Sequence, residues 1–434
     1  MSSPSTALQA LRTGFGRTAE VETRFPAPTS LDCARDERRS TIPTPYDVII
    51  LGAGAAGLMC ALTAGQRGRR VLLLDHLDRV GAKILISGGG RCNFTNLDGG
   101  LADRYLSANP HFAKSALGRY TPADFIAMVD AHGIAWHEKT LGQLFCDGSA
   151  KQIIAMLEDE CSRGGVETRL LTRVTSVSHA DGLFRVETPH GTEQSQALVI
   201  ATGGPSIPKM GATGFAYDVA RQFGLKVVEP RPALVPLTLG AEDRLFESLS
   251  GVSLDVVASL GKARFREAAL FTHRGLSGPA ILQISSYWRH GDSLSVDLLP
   301  GDDARMLLTD AKRARPNAEP RTILRERFPD RLADVLADRL GLSGPLVTHK
   351  DAALATAGAR LNSWTFTPNG SEGFAKAEVT IGGVSTDGLD QRSLVAKRVP
   401  GLHFIGEAVD VTGWLGGYNF QWAWASGRAA GEAI

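Results

Sequence analysis

Four residues near the start of the sequence have the types and spacing that bind a dinucleotide. Residues 46–57 read YDVIILGAGAAG, so a run of apolar, β-favouring residues leads into Gly52, Gly54 and Gly57. In a strand–turn–helix unit Gly52 allows the tight turn, Gly54 lets the backbone approach a pyrophosphate, and Gly57 allows close packing of helix on strand. Asp75 ends a second apolar run 23 positions after Gly52, where an acidic residue hydrogen-bonds a ribose. The pattern predicts a βαβ unit that binds a nucleotide cofactor; the alternative is a glycine-rich turn without a ligand.

The composition of the whole chain is that of a globular protein. The chain has 434 residues, of which 43% are hydrophobic and 21% charged, and its formal net charge is +1. This length suffices for two or three domains with cores of their own. A near-neutral charge does not by itself indicate a nucleic-acid partner. No apolar run reaches the length of a membrane span, so we expect no membrane partner.

The cysteines do not form a recognisable metal or redox site. They are Cys33, Cys60, Cys92, Cys146 and Cys161. No two of them form a CxxC pair, and none lies in a cluster with zinc-type spacing, so we expect no metal. An odd and sparse set is typical of reduced thiols. We therefore expect a cytoplasmic protein.

The elements that must position the motif follow from periodicity and capping. Helices are expected at 121–133, behind Thr121 and Pro122, at 149–163, behind Ser149, and at 420–434. Strands are expected at 168–178, 183–188, 197–204, 227–239, 252–260, 294–300, 375–384 and 401–407, and a helical run at 303–341. The segment GLHFIGE (401–407) again presents a strand, a glycine and an acid, which is useful only beside the first βαβ unit.

This order of elements predicts a discontinuous cofactor domain. We expect residues 46–205 plus 385–434 to form it, with a β-rich domain from 206–302 plus 342–384 inserted into it and a helical insert at 303–341. Residues 1–45 contain five prolines and no clear periodicity. We expect them to be a disordered extension, with a transit-like peptide as the alternative.

Several long motifs together resemble one known family. They are GAGAAG, KILISGGGRCNFTN (83–96), ATGGPSIPKMGATG, LFTHRGLSGPAIL, AEVTIGGV and GLHFIGEAVDVTGWLGGYNFQWAWASGRAAG. In these motifs the chain resembles the BaiN/RdsA-like (YhiN-type) family of FAD-containing flavoproteins, from about residue 46 to the C-terminus. The resemblance implies an α/β fold: a Rossmann-like FAD-binding domain with an inserted β-barrel-like domain and a small helical subdomain.

The flavin assignment also has support in the residues themselves. A single GxGxxG motif predicts one resident dinucleotide, whereas flavoprotein disulfide reductases carry a second motif and a redox cysteine pair. The strand–GE–helix segment near the C-terminus would reach the ribityl chain, and we carry that role onto Glu407. The alternative for Glu407 is a carboxylate that caps a helix N-terminus.

Two glycine-rich loops are expected beside the flavin ring. Three glycines in a row, 88–90, let the backbone pass close to a flat ring, and Arg91 can pair with a phosphate or a flavin carbonyl. At the other loop, Gly416 and Gly417 open a helix whose N-terminus would stabilise reduced flavin. Because Trp422 and Trp424 are two positions apart, we expect one to lie in the core and the other to face solvent or a partner.

Three residues are candidates for acid–base chemistry. Cys92 lies in a loop that resembles the segment beside the flavin in related reductases, which implies a proton donor; the alternative is a small buried thiol. His273 lies in the glycine-rich run 272–279, where it is an acid or base or a contact to a substrate anion; the alternative is a structural histidine. Tyr418 is either at the ring or in the core.

The expected cofactor contacts extend beyond these loops. The complete set is Gly52, Gly54, Ala55, Ala56, Gly57, Asp75, His76, Lys83, Ser87, Gly88, Gly89, Gly90, Arg91, Cys92, Asn93, Val174, Ala201, Thr202, Gly203, Gly204, Gly406, Glu407, Gly416, Gly417, Tyr418 and Asn419.

The resemblance implies an FAD-dependent oxidoreductase in which NAD(P)H is a transient reductant and an activated C=C bond is reduced. Uridine in ribosomal RNA, converted to dihydrouridine, is the first expectation; a steroid-like enone and a non-catalytic flavin-binding partner protein are the alternatives. Residues 301–350 contain ten Lys and Arg against eight Asp and Glu, a balance of only +2. The run KRAR (312–315) is the densest basic stretch there, and it is either an RNA contact or a solvated helix face.

Overall fold

The computed structural model describes residues 44–434, except 241–242, 244–245 and 247. The extension expected at 1–45 therefore lies, but for its last two residues, outside the described part. Residues 45–434 form one compact unit. Among the described residues, no helix combines the length and the apolar character needed to cross a membrane.

The strands and helices are given in chain order. The strands are β1 (Tyr46–Leu51), β2 (Val71–Leu74), β3 (Asn93–Asn96), β4 (Tyr105–Leu106), β5 (Trp136–Glu138), β6 (Gln143–Cys146), β7 (Glu167–Arg169), β8 (Ser176–Ala180), β9 (Leu183–Thr188), β10 (Gly191–Ile200), β11 (Val227–Ala233), β12 (Leu237–Leu239), β13 (Ser253–Leu260), β14 (Ala263–Thr272), β15 (Gly275–Ser277), β16 (Leu294–Asp297), β17 (Trp364–Phe366), β18 (Pro368–Ser371), β19 (Val379–Val384), β20 (Leu402–Phe404) and β21 (Thr412–Gly413). The helices are α1 (Ala55–Gln66), α2 (Ala82–Ile86), α3 (Lys114–Arg119), α4 (Pro122–Ala131), α5 (Ala150–Arg163), α6 (Phe215–Gln222), α7 (Pro279–Ser285), α8 (Ala304–Ala314), α9 (Pro320–Arg325), α10 (Asp330–Arg339), α11 (Asp351–Leu361) and α12 (Tyr418–Ala433).

The first sheet is the Rossmann-type sheet that the glycine motif predicts. Its order is β7-β2-β1-β10-β9-β8, and β20 pairs with β10 in addition. Strands β7, β2, β1, β10 and β20 run parallel, while β9 and β8 are antiparallel. The apolar runs of β1 and β2 are buried along their length because helices cover the parallel part of the sheet. The carboxyl ends of β1, β2 and β10 therefore meet at one edge.

The C-terminus returns to this sheet, as the sequence predicts. Helix α12 packs against α1 through small residues: a Cβ on Gly427 would lie 2.5 Å from the carbonyl oxygen of Ala56. Trp422 and Trp424 are both buried, so the expectation that one of them faces solvent is wrong. The Trp422 indole donates to the carbonyl oxygen of Gly406, and the Trp424 indole donates to that of Phe94. The helix is covered on two sides because it lies between α1 and the segment that carries Phe94.

The second large sheet is antiparallel and curls into a barrel-like shape. Its order is β17-β16-β13-β14-β15-β12-β18. The two edge strands, β17 and β18, are separated in sequence by Thr367 alone, so the sheet must curve until its edges approach each other. Its apolar side chains form one hydrophobic cluster together with those of α8 to α11. The division into a β-rich domain and a helical insert stays an interpretation, and α11 lies in the range that we expected to be β-rich.

Most predicted elements are present, and two expected strands are interrupted. The strand expected at 227–239 forms β11 and β12, which belong to different sheets. Thr121 and Ser149 cap α4 and α5 with capping boxes, as expected. The strand expected at 168–178 is two strands, β7 and β8, joined by an irregular segment. The N–H groups of Leu171 and Thr172 donate to the carbonyl oxygens of Leu77 and Asp75, which draws this segment away from the sheet.

Candidate functional site

A cavity of about 940 Å³ lies at the carboxyl ends of the parallel strands. This volume is near the upper end of the range of small-molecule sites. The predicted residues that line the cavity are Gly52, Gly54, Ala55, Ala56, Asp75, His76, Lys83, Ser87, Gly88, Gly89, Asn93, Val174, Ala201, Thr202, Gly203, Gly406, Glu407, Gly416, Gly417 and Asn419. They come from segments far apart in the sequence, which the fold brings to one place.

The glycines of the first motif have different structural roles. A Cβ on Gly52 would lie 2.6 Å from the carbonyl oxygen of Ala201, and one on Gly57 would lie 1.8 Å from that of Gly52, so both glycines are required by packing. A Cβ on Gly54 would meet no atom of the described protein within 4 Å. Gly54 also caps α1, whose N-terminus has no side-chain cap and no acidic residue in its first turn. Free N–H groups and an open approach at a helix N-terminus fit a pyrophosphate.

Asp75 is held in a fixed orientation at the edge of the cavity. Its Oδ2 accepts from the N–H of Ala53 at 2.7 Å, and its Oδ1 accepts from the N–H of Leu77 at 2.9 Å. His76 Nδ1 lies 3.4 Å from Asp75 Oδ1. Each carboxylate oxygen has a second lone pair, so this arrangement is compatible with a ribose hydroxyl donating to Asp75.

Lys83 and Glu407 form a hydrogen-bonded ion pair in the cavity wall. Lys83 Nζ donates to Glu407 Oε2 at 2.7 Å and to Ser206 Oγ at 2.6 Å. Glu407 Oε1 accepts from Ser206 Oγ at 2.6 Å and from the N–H of Thr380 at 2.9 Å. Burial alone would raise the pKa of Glu407, but the Lys83 ammonium and these hydrogen bonds hold that pKa below its ordinary value. Glu407 is therefore an ionised acceptor, and it does not cap a helix with its carboxylate.

Two glycine turns form another part of the wall. A Cβ on Gly88 would lie 2.7 Å from the Phe145 ring, whereas Gly89 has φ near 66° and open space around its Cα. A Cβ on Gly417 would lie 2.4 Å from the carbonyl oxygen of Thr95. Gly417 caps α12, whose first turn carries no acidic residue and which has no side-chain cap. The N-termini of α1 and α12 thus both border the cavity.

The geometry of the cavity fits FAD. The uncapped N-terminus of α1 and the open space at Gly54 fit the pyrophosphate, and the fixed carboxylate of Asp75 fits a ribose. The buried hydroxyl of Thr202 has no hydrogen-bond partner among the described residues, although Thr202 lines the cavity. A buried polar group of this kind normally has a partner, and a bound ligand can supply one.

Several predicted residues do not line the cavity, among them all three acid–base candidates. Gly57, Gly90, Arg91, Cys92, Gly204, His273 and Tyr418 are absent from its lining. The Cys92 thiol is fully buried, and burial raises the pKa of Cys92 to about 12. His273 is exposed beside the turn between β14 and β15. Tyr418 packs edge-on against Tyr105. The structure therefore gives no support to proton transfer by these three side chains.

Sequence reasoning missed other lining residues. Leu234, Leu415 and Phe145 line the cavity and carry no pattern that could have identified them. Glu378 also lines it, and it lies within the motif AEVTIGGV, whose strand and glycine pattern gives no separate signal for the acid.

Comparisons with known proteins agree with this geometry. The family model HI0933-like protein Rossmann domain matches residues 46–433. The chain is 51% identical to the ribosomal RNA dihydrouridine synthase of Escherichia coli K12, over 90% of this chain and 98% of the relative. It is 44% identical to the Haemophilus influenzae protein of the same name, over 89% of this chain and 98% of that one.

A more distant relative is a bile-acid enzyme. The chain is 29% identical to the 3-dehydro-bile acid delta(4,6)-reductase of Clostridium scindens, over 88% of this chain and 98% of the relative. The predicted enzyme class, a flavin-dependent oxidoreductase, is confirmed by these relatives together. Because the family model spans nearly all of the compact unit, the chain belongs to the HI0933-like Rossmann family.

Proposed function

We propose that this protein uses NAD(P)H and FAD to reduce uridine in ribosomal RNA to dihydrouridine. The observation that carries the proposal is the 51% identity to the Escherichia coli synthase across 98% of that protein. The steroid-type alternative is weaker because the bile-acid reductase is only 29% identical over a similar span. A ribosomal RNA substrate would place the protein in the cytoplasm.

The cavity residues have distinct tasks in this reaction. Bound FAD would supply the two-electron redox chemistry between NAD(P)H and the substrate. The N-terminus of α1 would hold the pyrophosphate, and Asp75 would orient the ribose. The Lys83–Glu407 pair would present fixed charges to the polar part of the cofactor. The apolar walls at Leu234 and Leu415 would exclude water from the reacting atoms.

Two exposed cations near the cavity favour an RNA contact there over one at the KRAR run. Lys312, Arg313 and Arg315 of the KRAR run each pair with a carboxylate, at 2.6, 2.9 and 2.7 Å. Arg91 and Lys209 are exposed and have no acidic partner among the described residues. Both belong to loops whose neighbouring residues line the cavity. Unpaired cations are free to neutralise phosphates, so we propose that these two contact the RNA.

The proposal is tested by nucleoside analysis of ribosomal RNA. The purified FAD-loaded protein is incubated with NADH or NADPH and with rRNA from cells that lack the gene, and dihydrouridine is then measured by mass spectrometry. We expect dihydrouridine to appear with at least one of the two reductants. Reduction of a steroid enone without reaction on rRNA would favour the first alternative. Absence of sustained NAD(P)H consumption with either substrate would favour a non-catalytic flavin protein.

A further inference from the structure

Glu378 differs from the other carboxylates in the cavity wall. Among the described residues, four carboxylates line the cavity: Asp75, Asp218, Glu378 and Glu407. Asp75 is bound by two backbone N–H groups, Asp218 pairs with Arg221 at 3.0 Å, and Glu407 pairs with Lys83. The carboxylate of Glu378 has no hydrogen bond and no ion pair with any described residue. It is thus the carboxylate of this wall that is free to exchange a proton with a ligand.

The backbone holds Glu378 in a defined place on the wall. Its N–H donates to the carbonyl oxygen of Leu234 at 3.2 Å, and the next residue, Val379, pairs with Ala233 in the β11–β19 ladder. Leu234 and Val379 share a hydrophobic cluster with Leu415, which immediately precedes the Gly416–Gly417 turn. Glu378 is therefore fixed directly before β19, between Leu234 and Val379, which line the same wall of the cavity.

The surroundings of Glu378 favour its protonated form. The side chain of Glu378 is exposed to the open cavity, and the protein atoms that surround it in the cavity wall raise the pKa of Glu378 above its ordinary value by desolvation. Burial is the whole cause of this shift, because no neighbouring charge contributes to it. A ligand that fills the cavity displaces more water, which disfavours the carboxylate further. A carboxyl group whose pKa is raised holds its proton to a higher pH, which is the direction that general-acid catalysis requires.

We propose that the carboxyl group of Glu378 is the proton donor for reduction of the substrate double bond. This inference rests on the proposed function. Saturation of the uracil C5=C6 bond adds one hydride equivalent, supplied by the reduced cofactor, and one proton. The proton leaves the Glu378 carboxyl oxygen and forms the C–H bond at the carbon beside the one that receives the hydride. The carboxylate that remains is reprotonated from water, so the net reaction consumes one NAD(P)H and one proton.

The first test compares Glu378→Gln and Glu378→Asp in the FAD-loaded protein. Glutamine has nearly the shape of the acid but cannot donate this proton, whereas aspartate keeps the acid on a shorter chain. In Glu378→Gln, FAD content and cofactor reduction by NAD(P)H should be unchanged. Oxidation of the reduced protein by rRNA should be slower by about 10²–10⁴-fold, the usual contribution of a positioned acid. Glu378→Asp should recover part of that loss.

The matched control is Glu229→Gln, which makes the same change at an exposed glutamate on the neighbouring strand β11 and should alter neither step. A full rate of the second step in Glu378→Gln would overturn the assignment. Equal slowing of both steps with loss of FAD would also overturn it, because Glu378 would then be a cofactor contact.

A second measurement does not depend on turnover. Infrared spectra of the oxidised wild-type protein across a pH series should show a protonated carboxyl that titrates above the ordinary range of glutamate and is missing from Glu378→Gln. If no such carboxyl is found, the assignment is wrong whatever the kinetics show. If the wild-type protein reduces no rRNA uridine, the proposed function fails by itself, and the infrared titration still decides whether Glu378 is held as an acid.

Discussion

At the scale of single residues, the glycines of one motif separate into those that the fold requires and one that a ligand requires. Gly52 and Gly57 contact backbone atoms so closely that a side chain would collide with the protein. Gly54 has φ near −84°, which any residue adopts, and its Cα faces open space. A substitution at Gly54 therefore reports on the cofactor with little effect on folding.

We predict that Gly54→Val folds with a melting temperature close to that of wild-type apoprotein but does not retain FAD, because the valine side chain would occupy the space at the uncapped N-terminus of α1. Flavin absorbance after gel filtration measures retention, and Gly57→Val is the comparison, since it should lower stability itself. Full FAD occupancy in a folded Gly54→Val protein would contradict the pyrophosphate assignment.

We also predict that Glu407→Gln lowers stability in a pH-dependent manner. The folded-state pKa of Glu407 lies below its ordinary value, so the ionised carboxylate stabilises the fold at pH values above the unfolded pKa. This contribution is lost as pH falls through the folded pKa. At neutral pH the difference should be on the order of 1–3 kcal/mol, as for hydrogen bonds to charged groups. Urea unfolding of both proteins from pH 7 downward measures it, and the two stabilities should converge in acid; a constant gap would contradict the ion pair.

At the scale of elements, the close packing of α12 against α1 positions the N-termini of both helices at the cavity. Gly427 and Gly431 of α12 face Ala56, Cys60 and Thr63 of α1, so the two helices are in contact along small residues. The aromatic side of α12 is fixed separately, with the Trp424 and Phe125 rings stacked at 4.4 Å. A wider spacing between α1 and α12 would move the Gly416–Gly417 turn away from the cavity.

We predict that Gly427→Ala lowers both stability and FAD affinity. The added Cβ would lie 2.5 Å from the carbonyl oxygen of Ala56, so the helices must separate, at a cost of about 1–3 kcal/mol. The matched control is Gly118→Ala in α3, where the added Cβ has open space and the exchange should be neutral or slightly stabilising. Thermal unfolding and flavin titration measure the two effects, and equal behaviour of the two variants would contradict the packing argument.

At the scale of the whole molecule, the cations of the KRAR run are paired with carboxylates, while Arg91 and Lys209, in loops at the cavity, have no acidic partner among the described residues. We predict that Arg91→Ala with Lys209→Ala weakens binding of rRNA fragments and reduces the slope of log K against log salt by up to ~1–2 units. Arg313→Ala with Arg315→Ala, the matched pair on the helical segment, should leave the slope unchanged. A larger effect of the second pair would relocate the RNA contact to the helical segment.

The sequence predicted features that depend on local pattern and missed those that depend on tertiary arrangement. The Gly52–Gly57 turn, the caps at Thr121 and Ser149, and the return of the C-terminus were predictable, because spacing and residue type determine them. The Lys83–Glu407 pair joins residues 324 positions apart, and no local pattern indicates it. Cys92 was placed in the correct loop, but its left-handed backbone, with φ near 53°, accompanies a side chain that points into the core, an orientation that a motif does not encode.

The contribution of α12 to the cavity also bears on how the protein is made. Trp422 and Ala423 line a cavity whose first residues lie near position 51, so the ribosome synthesises nearly the whole described chain before the last wall exists. A nascent chain that has not yet released α12 from the exit tunnel leaves uncovered the face of α1 that packs against α12. We therefore expect FAD loading to follow translation, because a polypeptide that ends before residue 402 would lack β20, Glu407 and α12 and with them one wall of the cavity.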